Sequence, residues 1–237
     1  RIDIGDAFKY EIIQSDTYSI SITADDNLFD DIRVTQSGEE LKIDLKPLFR
    51  FNVTGLEAVV TMPRLTGLES SGATRGSVTG FSSGDNLELD ISGASRVKMT
   101  DMTVGDIEGS VTGASTLEAD VIAGNIDLGI SGASRVEGSL EARDVIVDLS
   151  GASRIETDGS GSNTKIDASG ASTVKFGDFS VDNADVSLSG ASTCKIRVTG
   201  RIDIDLSGAS RLTYVGNPVL GSIDLSGGST VNSETED

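Results

Sequence analysis

The chain has no His, no Trp, only three Pro and a single Cys in 237 residues, and aromatic residues make up just 4% of it. Each scarcity excludes something. Without His there is no imidazole base, so a Ser–His hydrolase is out, and a hexapeptide-repeat acyltransferase is disfavoured. The lone Cys194 cannot form an intrachain disulfide, so cysteine usage neither supports nor excludes an oxidising compartment. Few aromatics and no Trp fit a narrow interior of small and β-branched side chains. No run of 18 apolar residues occurs, so no membrane-spanning helix is encoded. The opening at Arg1, without Met, fits a trimmed chain whose export signal or lipid anchor was removed or never existed. Basic residues are also short: 19 Lys and Arg against 38 Asp and Glu leave a net charge of −19 and a pI near 4.2. Phosphate backbones and anionic membranes would both be repelled, so nucleic acid is not an expected partner. Calcium and cationic partners stay open. The acidic excess is expected to keep the molecule soluble and to resist end-to-end stacking.

What the chain has in quantity is Gly, 28 residues, and much of it is periodic. Ser150-Gly151-Ala152-Ser153 is one of nine copies of a signature whose glycines fall at 72, 93, 113, 132, 151, 170, 190, 208 and 227. A period near 19 sustained over this length is the mark of a stacked repeat. Four residues before the glycine stand Leu89, Leu128, Val147, Ile166, Val186, Ile204 and Ile223, with Gly109 as the one break. Two before it stand Ile91, Val111, Ile130, Leu149, Ala168, Leu188, Leu206 and Leu225; four after it stand Val97, Leu117, Val136, Ile155, Val174, Cys194, Leu212 and Val231. Apolar and polar residues alternate with period two, so these are strands with one buried face. A unit this short cannot hold two helices. The sequence therefore predicts an all-β fold, a parallel β-helix of about 19 residues per coil, roughly 40 Å long at strand spacing. The glycine makes the corner, where positive φ costs it little. The second serine of each copy is expected to form a hydroxyl ladder satisfying corner backbone groups. A catalytic serine is a poor reading, since repeated identical serines cannot each own a base.

Residues 1–66 lack the signature but alternate like strands, with turns at Gln14-Ser15-Asp16 and Ser37-Gly38-Glu39 and a stop at Pro63. They are read as an N-terminal β cap continuous with the stack, in wider or irregular coils; alternating Phe49, Phe51 and Val53 belong to it. The solenoid proper is assigned to 67–231. Residues 232–237 are read as a frayed acidic tail that discourages another chain from adding there. Segments such as Val104-Gly105-Asp106, Ala123-Gly124-Asn125 and Gly159-Ser160-Gly161-Ser162-Asn163 read as variable turns at the opposite bend.

Phe8-Lys9-Tyr10-Glu11-Ile12, the Ala24-Asp25-Asp26-Asn27-Leu28 turn, and Val60-Thr61-Met62-Pro63-Arg64-Leu65 ahead of the Ser-Gly-Ala copies together resemble the putative auto-transporter adhesin head domain family, the GIN domain. The resemblance covers essentially the whole chain. It implies a right-handed, pectin-lyase-like β-helix, an exported or cell-surface protein and a role in adhesion; a trimer is implied in the same way, though no coiled-coil heptads are present. The family brings no catalytic residues and no cofactor.

Two outward columns are candidates for an interaction face: Arg96, Arg135, Arg154 and Arg211, three residues after the glycine, and Glu118, Glu137 and Glu156, five after it. The plain reading is a solvated charge ladder. The sharper one is a flat face for a glycan or a surface protein, although exposed aromatic rings are missing from it. A carboxylate column, Asp90, Asp148, Asp167, Asp205 and Asp224, with Asp127, Asp185 and Asp203 beside it, could bind calcium, but lacks the Gly-Gly-x-Gly-x-Asp pattern. Asp25, Asp26, Asp30 and Asp31 form a second acidic cluster, read as a solvated turn. Periodic carboxylates also argue against a polysaccharide lyase or glycoside hydrolase, whose site should break the repeat locally. The expectation is a non-enzymatic surface module, with a structural spacer as a further alternative.

Overall fold

In a computed structural model, which describes residues 1–46 and 55–235, the chain winds into a β-solenoid whose strands form one continuous 21-stranded hydrogen-bonded system. The expectation at Phe49, Phe51 and Val53 lies outside the described residues. Apart from a 3₁₀ turn at Phe29–Asp31, no helix occurs among the described residues. The strands are β1 (Ile2–Ile4), β2 (Lys9–Gln14), β3 (Ser19–Thr23), β4 (Ile32–Ser37), β5 (Glu40–Leu45), β6 (Glu57–Met62), β7 (Gly67–Ser70) and β8 (Arg75–Thr79). The repeats supply β9 (Leu87–Ile91), β10 (Arg96–Thr103), β11 (Ile107–Val111), β12 (Thr116–Ile122), β13 (Asn125–Ile130), β14 (Arg135–Glu141) and β15 (Asp144–Leu149). Then come β16 (Arg154–Ala168), β17 (Thr173–Leu188), β18 (Thr193–Leu206), β19 (Arg211–Val215), β20 (Val219–Leu225) and β21 (Thr230–Glu234).

Each coil contributes one run to a sheet before the Ser-Gly-Ala corner, here face A, and one to a sheet after it, face B. Equivalent positions pair in parallel register from coil to coil: Val97 with Leu117, Leu117 with Val136, Val136 with Ile155. The three inward columns meet in one apolar core, where most of these side chains are fully buried. All nine corner glycines have φ between 68° and 79°. A Cβ at Gly132 would sit 2.4 Å from the Gly113 carbonyl oxygen, because each corner leans on the one before it. That carbonyl instead accepts from the Ala133 N–H at 2.7 Å.

The opposite bend is less turn-like than its composition suggests. In β16, β17 and β18 the strand runs straight through it, absorbing length changes as register shifts after Glu156 and Phe176. A column seven residues before the glycine supports this bend: Asn125 Nδ2 donates to Asp106 at 2.9 Å, Asn163 Nδ2 to Asp144 at 2.7 Å, and Asn183 Nδ2 to Asn163 at 3.0 Å. Sequence reading took these residues for variable turns and missed the ladder.

Residues 1–14 form a coil of their own. β1 and β2 stack directly beneath β7 and β8, and the Asp6 carbonyl accepts from Ala73 N at 2.6 Å, as a corner glycine would. Asp6 itself adopts φ 65°, which Asp tolerates better than most residues, and its Oδ2 accepts from Leu45 N at 2.6 Å. Beyond this coil lie β5 and β6, so spatial order departs from chain order: β1 is held between β5 and β7, and β2 between β6 and β8. Outermost are β4, antiparallel to β5, and β3, antiparallel to β6. Tyr10 explains why the first repeat is imperfect. Its ring occupies the space where Gly76 lacks a side chain, and its hydroxyl donates to Ser70 at 3.0 Å.

At the far end β21 continues to Glu234, paired with β19 through Asn232–Thr213, Ser233–Tyr214 and Glu234–Val215. The first half of the acidic tail is thus ordered strand, since backbone pairing needs no apolar side chain. Ile223 and Leu225 stand in their inward columns but are 44% and 49% exposed, because nothing lies beyond them.

Candidate functional site

Face B carries the two charged columns side by side. Arg96, Arg135 and Arg211 are exposed and Arg154 is half-buried, while Glu118, Glu137 and Glu156 lie half-buried next to them. Arg135 pairs with Arg154 and Glu137 with Glu156 across adjacent strands, so like charges do stack in register. The two columns offset each other. Arg135 Nε donates to Glu137 Oε2 at 2.6 Å and Arg154 Nε to Glu156 Oε2 at 3.1 Å. Glu156 also lies 3.6 Å from Arg135 and 3.4 Å from Lys175; Arg154 first, and then Lys175, hold its carboxyl below the usual range. Lys98 reaches Glu118 at 3.3 Å. Arg96 and Arg211, and Arg75 in the same column, have no ion-pair partner among the described residues. The structure therefore divides the predicted residues: Arg135, Arg154, Glu137 and Glu156 form one network, Glu118 pairs with Lys98, and Arg96 and Arg211 keep free guanidinium groups.

The same face becomes concave in its C-terminal half. Where β16–β18 shift register lies a groove of about 860 Å³, lined by Glu156, Lys175, Gly177, Lys195, Arg197 and Arg211 among others. Beneath it Phe176 and Phe179 pack with ring centroids 5.0 Å apart. Lys175 and Lys195 continue the column of Glu118, Glu137 and Glu156, in register with Glu156, though they were not among the predicted site residues; Arg197, at the register shift between β17 and β18, lies outside that column.

The serine column is structural. Ser153, Ser172, Ser192 and Ser210 are fully buried and donate to carbonyls three residues back, at 2.9, 2.7, 2.9 and 2.8 Å. At its head the column joins a buried hydroxyl chain from Tyr10 through Ser70 and Thr74 to Ser95. Burial pushes the Tyr10 hydroxyl and the Cys194 thiol up, so neither offers an anion. Ser115 Oγ and Thr157 Oγ1 are buried without a partner.

Face A is acidic. Around Gly109, the one break in its inward columns, Glu88, Asp90, Glu108 and Asp127 line a shallow indentation of about 340 Å³. Arg1 lies against Glu88 and 3.5 Å from Asp90, which neutralises part of it. Asp203 receives Arg201 Nε at 2.8 Å and both Ser222 N and Oγ, and is held well below the usual carboxylate range. Among the described residues no group of three or more potential ligand side chains is arranged to hold a metal. Nor, among those residues, is any helix long and apolar enough to cross a membrane. At the N-terminal end a third groove, about 760 Å³, opens between β3 and the β4–β5 hairpin; Tyr18, Ile20, Leu41, Val60 and Met62 line it, with Arg1 and Arg64 present as well.

The chain matches the family described as putative auto-transporter adhesin, head GIN domain, over residues 1–120 and again over 116–218. It belongs to that family. Among solved structures it is similar to a putative adhesin from Parabacteroides merdae (TM-score 0.78, 16% identity, 98% of this chain and 90% of that one). It is likewise similar to a putative adhesin from Parabacteroides distasonis (0.74, 17%, 98% and 91%) and to a putative lipid binding protein from the same organism (0.65, 17%, 99% and 94%). At these identities the likeness establishes the fold alone. No curated protein matches the chain.

Proposed function

We propose that this head GIN domain is a non-catalytic, secreted or cell-surface interaction module that engages its ligand through face B. The observation that carries the reading is the state of its charged columns. Arg135, Arg154, Glu137 and Glu156 are held rigid by mutual pairing, while Arg75, Arg96 and Arg211 project unpaired from the same column. A preorganised lattice with free guanidinium groups suits carboxylate- or sulfate-bearing surface glycans and acidic protein surfaces, since a guanidinium forks onto such groups in bidentate fashion. Ser153, Ser172, Ser192 and Ser210 are committed to backbone carbonyls and the single thiol is buried, which supports a binding role over covalent catalysis. A glycan and protein-ligand array tests the reading. Wild-type chain is expected to bind, and Arg96→Ala with Arg211→Ala is expected to reduce that binding at least tenfold with the fold intact. Turnover of a polysaccharide without such a loss would overturn it.

A further inference from the structure

The two ends of the stack are complementary, and we infer that copies of this chain associate head to tail, the last coil of one seated on the outermost strands of the next. The argument does not depend on the reading of face B.

At the C-terminal end β20 and β21 have strand partners on one side only, β18 and β19. Val219 and Leu220 there are 66% and 48% exposed, beside Ile223 and Leu225. At the N-terminal end β3 and β4 pair, among the described residues, only with β6 and β5, and Ile20 and Val34 are each 44% exposed. Open edges with apolar side chains are templates for another strand.

The register shows how they fit. Following the pairings coil by coil, Leu225 stands in the same inward column as Val34, and Val231 in the same column as Ile22. Translating a copy along its own axis therefore sets Leu225 on Val34 and Val231 on Ile22. On the outer faces Thr230 meets Thr23 and Asn232 meets Ser21. The lengths agree: β20 has 7 residues against 6 in β4, and β21 has 5 against 5 in β3. Because β3 and β4 run against the rest of the stack, the incoming strands would pair antiparallel, the more stable arrangement.

Charge complements this fit. The net charge of −19 argues for repulsion, but the edge strands themselves carry little of it, the aspartates at this junction lying in the corner between β3 and β4. β3 has no charged residue and β4 only Arg33, while β20 has only Asp224 and β21 only Glu234. Arg33, whose guanidinium forks onto Asp44 of β5 at 2.7 Å, becomes a diagonal neighbour of Asp224 as well. The acidic corner between β3 and β4 faces Ser226-Gly227-Gly228-Ser229, which is uncharged. The contact is two strands wide, smaller than a standard interface, so it is expected to be weak and concentration-dependent. Being heterologous, it makes linear stacks and not a closed dimer.

Sedimentation velocity from micromolar to millimolar chain tests this. Wild type should form dimers and longer species as concentration rises, more so at 1 M than at about 0.1 M salt, where the Debye length is about 10 Å. Val34→Lys and Leu225→Lys, both at exposed positions, should each stay monomeric. Mixed together they should give a 1:1 heterodimer and nothing longer, since each retains one intact end. Ile20→Lys replaces Val34→Lys should that variant fail to unfold cooperatively. Wild type that stays monomeric throughout overturns the inference. So does a Val34→Lys variant that dimerises as wild type does, which would mean tail-to-tail pairing.

Discussion

At the N-terminal end the stack finishes in strands that abandon the repeat. β3 and β4 turn antiparallel, Asp6 stands in for the corner glycine, and Leu28 is tucked into the core at 2% exposure. At the C-terminal end the repeat simply stops. Gly227 keeps the same corner geometry as Gly208 before it, and Ile223 and Leu225 keep their columns with nothing over them. A coil is thus not a self-sufficient unit. The same column is core where strands lie on both sides, as at Ile4, and surface where one side is open, as at Val34 and Leu225, because burial comes from the neighbouring coil.

The sharpest way to break this contrast is to truncate one inward side chain at each end. Ile4→Ala, at a position with no exposure, should cost about 2–5 kcal/mol in urea unfolding. Leu225→Ala, in the same column, should cost less than about 1 kcal/mol. Equal losses would show that the last coil is covered in solution.

Corner glycines give a smaller effect that is spread differently. A Cβ at Gly132 or at Gly227 would lie 2.4 or 2.6 Å from the preceding corner's carbonyl oxygen, with φ of 77° or 68°. Substitution by Ala should cost about 1–3 kcal/mol at either site. At Gly132 the loss should appear as lowered global stability. At Gly227 it should appear as faster hydrogen exchange confined to β20 and β21, with the unfolding midpoint nearly unchanged.

How much of this contrast could be read from the sequence follows from where periodicity survives. The Leu, Val and Ile columns, the corner glycines and the buried serines repeat at one spacing, so face, register and core were all legible. The coil at residues 1–14 was not. Gly5-Asp6-Ala7-Phe8 shares only its alanine with the signature, and its corner role emerges once Ala73 is seen to donate to Asp6. Nor could the interleaving of β1 between β5 and β7 be read, since parallel pairing over such separations has no local mark. On face B the Arg and Glu columns were legible for the same reason as the core. In the groove Lys175 and Lys195 continue the Glu column and were equally legible; Arg197 was not, because it stands where β17 and β18 shift register.

Serine deletions refine the comparison further. Ser153 is fully buried and donates to Ser150 O and Ile130 O, so Ser153→Ala should cost about 1 kcal/mol by leaving carbonyls short of a donor. Ser229 makes the equivalent bond to Ser226 O at 2.9 Å on the uncovered coil, where water can replace the hydroxyl. Ser229→Ala should therefore cost no more than a few tenths of a kcal/mol.

The mildest perturbation is acid. Asp203 is held low in the folded chain, first by Arg201 and then by Ser222, which it ties to β18 from β20. A carboxyl whose folded pKa is depressed adds stability that is fully present above its unfolded value, near 4, and is lost as pH falls through the folded value. Moving from pH 7 to 5 should therefore leave the last coil as it was. Below about pH 4 hydrogen exchange at Ser222 and its neighbours should rise before exchange in β1 and β5 does. Asp203→Asn should show the raised exchange already at neutral pH and lose most of its dependence on acid. If that variant still tracked pH as wild type does, the looseness of this end would have to come from the exposed Ile223 and Leu225 alone, with the Asp203–Ser222 contact contributing nothing.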